Sequence, residues 1–492
     1  MKQLIFQIGG VVASLLPIAA FALEVPIANS ADLAKLATAT PGTTFVLADG
    51  NYQSGNIACS AHGTAAAPIV VRAEHTKGAK IAFSGGVVEG FKVSGANWHF
   101  EGLDVRGACP SDSDCEHAFH VSGAASGFVL RDCKISDFNA ELKVNSASVA
   151  GVMTTPNAGL VERNDVGDSH GRKTSNPVTK LNIDTGDDWI VRDNIVHDAF
   201  KDGGDGVSYG VFMKSGGSRG LIENNLVICA RDIPTGGTRI GLSFGGGGTG
   251  NPYCAPAFDA SVPCAIEHTD GVMQNNIIAN CSDVGIYLNK AKNTSVIYNT
   301  LVATSGIDFR FSTTTGQARG NVLEGKIRAR DGGTFKDGGN VILNTIFFTA
   351  TYKAPLQGDL SLLGAAPAGL LDQGPLPGPM RDYCGRLRID GKPDFGALEH
   401  SLGNCPTLGG GDLQADAPAI ADGGNVVESD AGSSPDAGVT DAAVAAALAP
   451  APTPKGCSAG STGEPLGFAS LNFLFLVAIC ARRRSREGRS PD

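Results

Sequence analysis

Basic residues are scarce in this chain. Its 39 Lys and Arg are outnumbered by 49 Asp and Glu, for a formal net charge of -10. A protein that grips nucleic acid through general phosphate contacts needs the opposite balance, so nucleic acid is excluded as a partner. An anionic ligand would have to meet a local basic patch. No two cysteines stand in a C-x-x-C spacing, which removes zinc ribbons and dithiol redox motifs. The glycine run in GLSFGGGGTGNPYC (241–254) is followed by neither GK[ST] nor a helical pattern. It is therefore not a phosphate loop, and it reads as the edge of a cleft. Long helical patterns are rare as well, whereas 66 glycines beside 42% hydrophobic residues describe a chain that turns often and still buries a core.

What the chain has in place of helices is a repeat. Units resembling GLIENNLV at Gly220 begin also at Trp98, Gly127, Gly159, Trp189, Gly271, Ser295 and Gly316, so that successive starts lie 29, 32, 30, 31, 51, 24 and 21 residues apart. Each shows apolar and polar residues in alternation and then Asn or Asp before a turn. This is the length of one coil of a parallel β-solenoid, and the 51-residue step is a coil carrying an insertion, Gly245 to Glu267. The fold class expected is all-β: a single-stranded, right-handed parallel β-helix of the pectate-lyase type. It spans residues 23–405, with an N-terminal cap to about residue 95, coils to about 345 and an ending over 346–405.

Between the units lie the strands of one long sheet: AFHVSG, AELKVN, TKLNID, GVFMKS, RIGLSFG, GIYLNK and IDFRFS. With Val211 and Met213 hidden, Phe212 and Lys214 are shown, and the outward positions form two columns spaced about 4.8 Å from coil to coil. One column is predicted as His120, Lys143, Asn182, Phe212, Gly241, Tyr287 and Arg310. The other is Ser122, Asn145, Asp184, Lys214, Ser243, Asn289 and Ser312. Any solenoid face must be polar to stay in solution. This one concentrates His120, Lys143, Lys214, Arg239, Tyr287 and Arg310 in an otherwise acidic protein, as a surface for an acidic polysaccharide would.

The flanks read differently. Residues 1–22 combine Lys2, an apolar run and Ala20-Phe21-Ala22, a secretory signal peptide with the mature chain starting at Leu23. Export permits disulfides, and close spacing favours Cys109 with Cys115, Cys254 with Cys264 and Cys384 with Cys405. Cys59, Cys133, Cys229 and Cys281 are expected to be buried thiols. Residues 406–456, rich in Ala, Asp, Gly and Pro, form a disordered acidic spacer. Over 457–492, Cys457 precedes an apolar run from Leu466 to Ala481 and then Arg482, Arg483, Arg484 and Arg486. That run is a membrane anchor whose arginines hold the cytoplasmic end. The order of the tail resembles the C-terminal sorting signals of myxobacterial surface proteins. A monomer at the cell surface or outer membrane, or released from it, is expected.

A family resemblance enters with the order DGNY (49–52), GTAAAPIVVRAE (63–74) and WHFEGL (98–103). It is similar to the opening of chondroitinase B and the alginate lyases of polysaccharide lyase family six, and it covers about the first quarter of the chain. The resemblance implies β-elimination at a uronic acid, with Lys214 matching the family's lysine base and Arg239 its arginine one coil later. His120, Lys143, Asn145, Asn182, Asp184, Ser243, Tyr287, Asn289 and Arg310 would bind the substrate, with His120 and Tyr287 as alternative acids or bases. The family's acidic calcium ligands, five and seven residues before the lysine, are replaced here by Tyr209 and Val207. No cofactor is therefore expected, calcium being the one candidate through Asp184, Asp202 or Asp205. Hydrolysis would need a carboxyl pair, for which Glu141 and Asp184 are the candidates. A non-catalytic glycan-binding surface protein or adhesin is the alternative.

Overall fold

The structure, a computed structural model, describes residues 23–404 apart from 235, 247–252, 260, 376 and 389–390. The signal peptide, the spacer, the sorting tail and Cys405 lie outside the described residues. No described helix is long and apolar enough to cross a membrane.

Among the described residues the chain winds through three long sheets of twelve, eleven and ten strands, in which strands pair in parallel with those a coil later, save the antiparallel contact of Phe119 with Gly90 in the ten-stranded sheet. This is the expected right-handed parallel β-helix. The sequence repeat maps onto one corner of each coil. The first half of a unit is a strand of the twelve-stranded sheet, such as Leu221–Glu223, and the second half a strand of the eleven-stranded sheet, such as Leu226–Ile228.

The corner explains the asparagines. Asn164, Asn194, Asn225, Asn276, Asn299 and Asn321 are all buried. Each donates its side-chain amide to the next asparagine's Oδ1, Asn340 closing the series, at 2.7–3.0 Å. The residue before each turns the chain in the left-handed region, as at Asp193 (φ 57°) and Asn224 (φ 54°), which a short polar side chain tolerates best. Cys133 takes the ladder position one coil below Asn164, whose Oδ1 accepts the Cys133 N–H.

Asn29 caps a 3-10 helix, Ser30–Thr38, that lays Leu33 and Leu36 over the open end of the first coil. Aromatic rings fill the lower coils, with Phe119 5.1 Å from Phe91 and 5.0 Å from Phe100, and Val, Ile and Leu fill the upper ones. In the ten-stranded sheet Leu142, Leu181, Val211, Leu242, Ile286 and Ile307 are fully buried in register. Gly241, placed outward by simple alternation, instead faces the core, where a Cβ would stand 2.5 Å from the Gly285 carbonyl and 2.8 Å from Ile278. Lys180 has no exposed surface and bonds Glu141 (3.1 Å) and Asp168 (2.7 Å) inside the coil. Burial pushes both carboxyls up against the pull of Lys180.

Beyond the last coils the chain does not simply stop. Phe348, Tyr352, Leu360, Leu370, Tyr383 and Leu398 fold back onto Leu226, Ile228, Ile277 and Val322 of the eleven-stranded sheet. Among the described residues, this cover reaches the upper strands of that sheet and leaves its lower coils open.

The bridges Cys109–Cys115 and Cys254–Cys264 form as expected, and Cys59 and Cys133 are buried thiols. Cys384 is disulfide-bonded, its expected partner Cys405 lying outside the described residues. Cys229 and Cys281 are not thiols but a third bridge, with Cα atoms 4.8 Å apart. The insertion separates them by 52 residues in sequence, yet both stand just past paired strands of adjacent coils, one residue out of register. Linear distance hid a vertical neighbour.

Candidate functional site

The outer face of the ten-stranded sheet gathers most of the predicted residues, with corrections to register. Pairing runs His120, Lys143, Asn182, Phe212, Ser243, Tyr287 and Asp308 in one column. Ser122, Asn145, Asp184 and Lys214 run in the next, continued higher up by Asn289 and Arg310. Ser243 thus belongs beside Phe212, and Arg310 beside Asn289. Both corrections are slips of two residues along the strand, which leave each side chain on the outer face and are set by which residue of the neighbouring coil it pairs with.

Phe212 and Lys214 point outward yet are only 3% and 5% exposed. Phe212 packs with Tyr209, Ile240, Val284 and Tyr287 in an apolar cluster outside the helix proper. The inserted segment adds cover, its Tyr253 carbonyl accepting the Thr185 hydroxyl and its Ala255 N–H bonding the Ser215 carbonyl.

At the centre, two ammonium groups approach one carboxylate. Lys143 Nζ lies 2.8 Å and Lys214 Nζ 3.7 Å from Asp184 Oδ2, and the Ser215 hydroxyl donates to Asp184 Oδ1. Lys143 also reaches Asn182 Oδ1 at 3.4 Å, and Lys214 lies over the Phe212 ring at 4.8 Å. Burial depresses the Lys214 ammonium below its ordinary value; Asp184 opposes this, and Lys143 adds to it. Burial alone would raise Asp184, but Lys143 and Lys214 outweigh it and keep the carboxyl low. Glu267, which accepts the Ser215 N–H at 2.9 Å, is a further charge acting on Lys214 that the sequence reading missed. It closes the insertion, so only the folded loop brings it here.

Two coils on, the Tyr287 hydroxyl oxygen accepts from Arg310 Nη1 (3.1 Å) and Asn289 Nδ2 (3.4 Å). Its own hydrogen points to neither. Arg310 is also paired with Asp331 at 2.6 Å. Ser243 is spent locally, donating to the Gly245 carbonyl. At the lower end His120 bonds Asn145 and Glu89.

Arg239 does not join this group. It pairs with Ser208, at the far end of the strand that carries Lys214, six residues or about 20 Å away. It is 1% exposed, donates to the carbonyls of Gly236, Cys229, Ile233 and Pro234, and lies 4.3 Å from the Phe200 ring. Its guanidinium pins a loop, so the expected Lys214–Arg239 pair is withdrawn. Glu141 is equally absent from the face, being sealed in with Lys180. The carboxyl pair proposed for hydrolysis does not form.

Calcium fares no better beside Lys214. Asp184 is taken by two lysines and a serine, and Asp205, paired with Lys201 at 2.7 Å, lies beyond the opposite end of the Val207–Lys214 strand. These residues do not fit a calcium shell, which needs six to eight oxygens converging on one point.

A separate polar cavity of about 510 Å³ opens on the uncovered lower coils of the eleven-stranded sheet, lined among others by Asp104, Lys134, Arg106, Asp165, His197 and Arg231. His197 is clasped there by Asp198 (2.8 Å) and Asp165 (3.0 Å).

No family model matches the chain, and no curated protein does. Solved structures similar to it include pectate lyase Pel9A, at 15% identity over 74% of this chain and 90% of that one, with a TM-score of 0.45. Alginate lyase AlyF-OU02, in complex with G6, shares 18% identity over 67% of this chain and 66% of that one, with a TM-score of 0.43. The PL6 family polysaccharide lyase Pedsa3628 from Pseudopedobacter saltans shares 11% over 70% and 97%, with a TM-score of 0.34. The fold assignment itself rests on the strand pairing described above.

Proposed function

We propose that the protein acts on a uronic-acid-containing polysaccharide by β-elimination at the outer face of the ten-stranded sheet. The observation that carries this reading is a lysine, Lys214, whose ammonium is held below its ordinary value by burial at the centre of a face with a second lysine. Lowering a lysine in this way moves it toward the range in which its amine can act as a base. In the reaction Lys214 takes the proton beside the substrate carboxylate, and the carbon–oxygen bond to the departing sugar breaks as a carbon–carbon double bond forms. The leaving oxygen then receives a proton. Lys143 faces the substrate carboxylate, and Tyr287, whose hydroxyl hydrogen is not used by Arg310 or Asn289, supplies the second proton. The assignment drops Arg239 and routes nothing through calcium.

A second reading is a glycan-binding surface protein without turnover. It is favoured by the engagement of both lysines with Asp184. Incubating the full-length protein with alginate, pectate and chondroitin sulfate while following absorbance of the unsaturated product separates the two. Under the first reading one polymer gives product, and Lys214→Met lowers the rate by about 10²–10⁴ with the circular dichroism spectrum unchanged. Retardation in gels containing the polymer, without absorbance from any of them, selects the second. Surface anchoring belongs to the same proposal and rests on the order of residues 457–492. Deleting them should release the protein into the medium.

A further inference from the structure

The lower end of the same outer face carries a cluster to which the proposed elimination assigns no step. Glu89, His117 and His120 converge there, with candidate ligand atoms all within 4.8 Å of one another. His117 and His120 are three residues apart, which on a regular strand would set them on opposite faces. Ala118 and Phe119 are both fully buried, however, and this break in alternation leaves the two rings 4.9 Å apart.

The hydrogen bonds around His120 specify what it can hold. Asn145 Nδ2 donates to the Ser146 carbonyl at 2.9 Å, so the Asn145 oxygen is the atom that meets His120 Nε2 at 2.8 Å. An amide oxygen only accepts, and the Nε2 hydrogen is therefore fixed. That leaves Nδ1 facing Glu89 Oε1 at 2.9 Å. Burial would raise the Glu89 carboxyl, but Lys92 and His120 outweigh it and keep it ionised. The Nδ1 lone pair and the Glu89 carboxylate oxygen thus converge on one gap, the arrangement of two donors that a shared cation fits. His117 Nδ1 approaches the same Glu89 oxygen at 4.0 Å, is buried and takes part in no hydrogen bond. Burial, and after it His120, Lys143 and Lys92, hold that imidazole well below its ordinary value, as a neutral ligand.

We propose that Glu89, His117 and His120 form a binding site for a divalent transition cation of the zinc class. Two imidazole nitrogens and one carboxylate oxygen are the donors such ions select, and calcium, which prefers oxygen alone, is disfavoured. Three protein ligands leave a coordination position open. Asn145 is then a positioning residue, since a ligating histidine characteristically donates its other N–H to an outer partner that sets its tautomer and orientation. A ligating imidazole nitrogen must be unprotonated, so metal binding competes with protons at the site. Lys92, 2.5 Å from Glu89 Oε2, is half exposed and free to swing outward. None of this depends on the protein being a lyase.

The test uses full-length protein stripped with a chelator and titrated with zinc chloride, followed by calorimetry, and with cobalt chloride, followed by visible absorbance. One equivalent should bind, with cobalt bands typical of low coordination number and with proton release that depends on the buffer. His117→Gln and Glu89→Gln should each weaken zinc binding at least about tenfold. Asn145→Ala should weaken it by about 10- to 100-fold while leaving the cobalt bands in place. His197→Gln, at the separate His197–Asp198–Asp232 group, should leave it unchanged. Circular dichroism and thermal melts without metal show that each variant is folded. If a variant fails to fold, competition of zinc with cobalt in the unaltered protein, read at the histidine proton resonances, replaces it. Absence of zinc binding, or binding that survives His117→Gln and disappears in His197→Gln, overturns the proposal.

Discussion

Replacing Asn225 by Ala should cost about 3–5 kcal/mol, far more than the loss of a small polar side chain ordinarily costs. The side chain is fully buried and makes five hydrogen bonds. Its Nδ2 donates to Val191 O (2.9 Å), Glu223 O (2.9 Å) and Asn276 Oδ1 (3.0 Å), and its Oδ1 accepts from Asn194 N (3.1 Å) and Asn194 Nδ2 (3.0 Å). Some partners keep other bonds: Asn194 Nδ2 still reaches Val161 O and Arg192 O, and Asn276 Oδ1 still accepts the Asn225 N–H. The Asn194 N–H and the Val191 carbonyl lose this partner inside the stack, at about 1–3 kcal/mol for each buried group left unmade. A small cavity adds to the cost. Asn225→Asp should be worse at neutral pH, since a carboxylate oxygen would then face the three oxygens that the amide now serves. It should recover as pH falls and the acid gains a proton to donate. Asn225→Cys should be milder than Asp, because Cys133 occupies the equivalent rung natively. Urea titrations at several pH values measure all three. A change below about 1 kcal/mol for Ala, or Asp no worse than Ala at neutral pH, would refute the ladder as a source of stability.

Arg239→Met should lower stability by about 2–4 kcal/mol, because four carbonyls of its loop lose their donor; an unchanged urea midpoint would return Arg239 to the list of surface residues. His197 is raised above its ordinary value, since burial, which lowers it, is outweighed by Asp165 and Asp198. That contribution is complete below about pH 6.5 and fades as pH rises through the folded value. Unaltered protein should therefore lose more stability between pH 6 and pH 8 than His197→Gln does. Parallel curves for the two proteins would count against the clasp.

The architecture was written in the sequence because a solenoid is a local rule applied many times. Each unit carries its own strand and turn, and six of the eight a ladder asparagine, so the 21 to 32 residue period and the Asn-bearing corners of GLIENNLV and WIVRDNIV could be read without knowing what they touch. The outward position of Lys143, Asn182, Asp184 and Lys214 followed from the same alternation, and the strand register agrees. What failed were properties that depend on a neighbouring coil or on a covering segment. The pairing between coils placed Ser243 and Arg310 two residues from where alternation alone had set them, and a 52-residue detour hid the Cys229–Cys281 bridge. Cover from Phe212's apolar cluster and from the inserted segment accompanies the burial of Lys214. Arg239 and Glu141 read as polar surface residues and became interior ones, because carbonyls in one case and Lys180 in the other satisfy them away from water. Periodicity sets which way a side chain points, but only the packed coils decide whether water reaches it and which charge it meets, and those two quantities govern its chemistry.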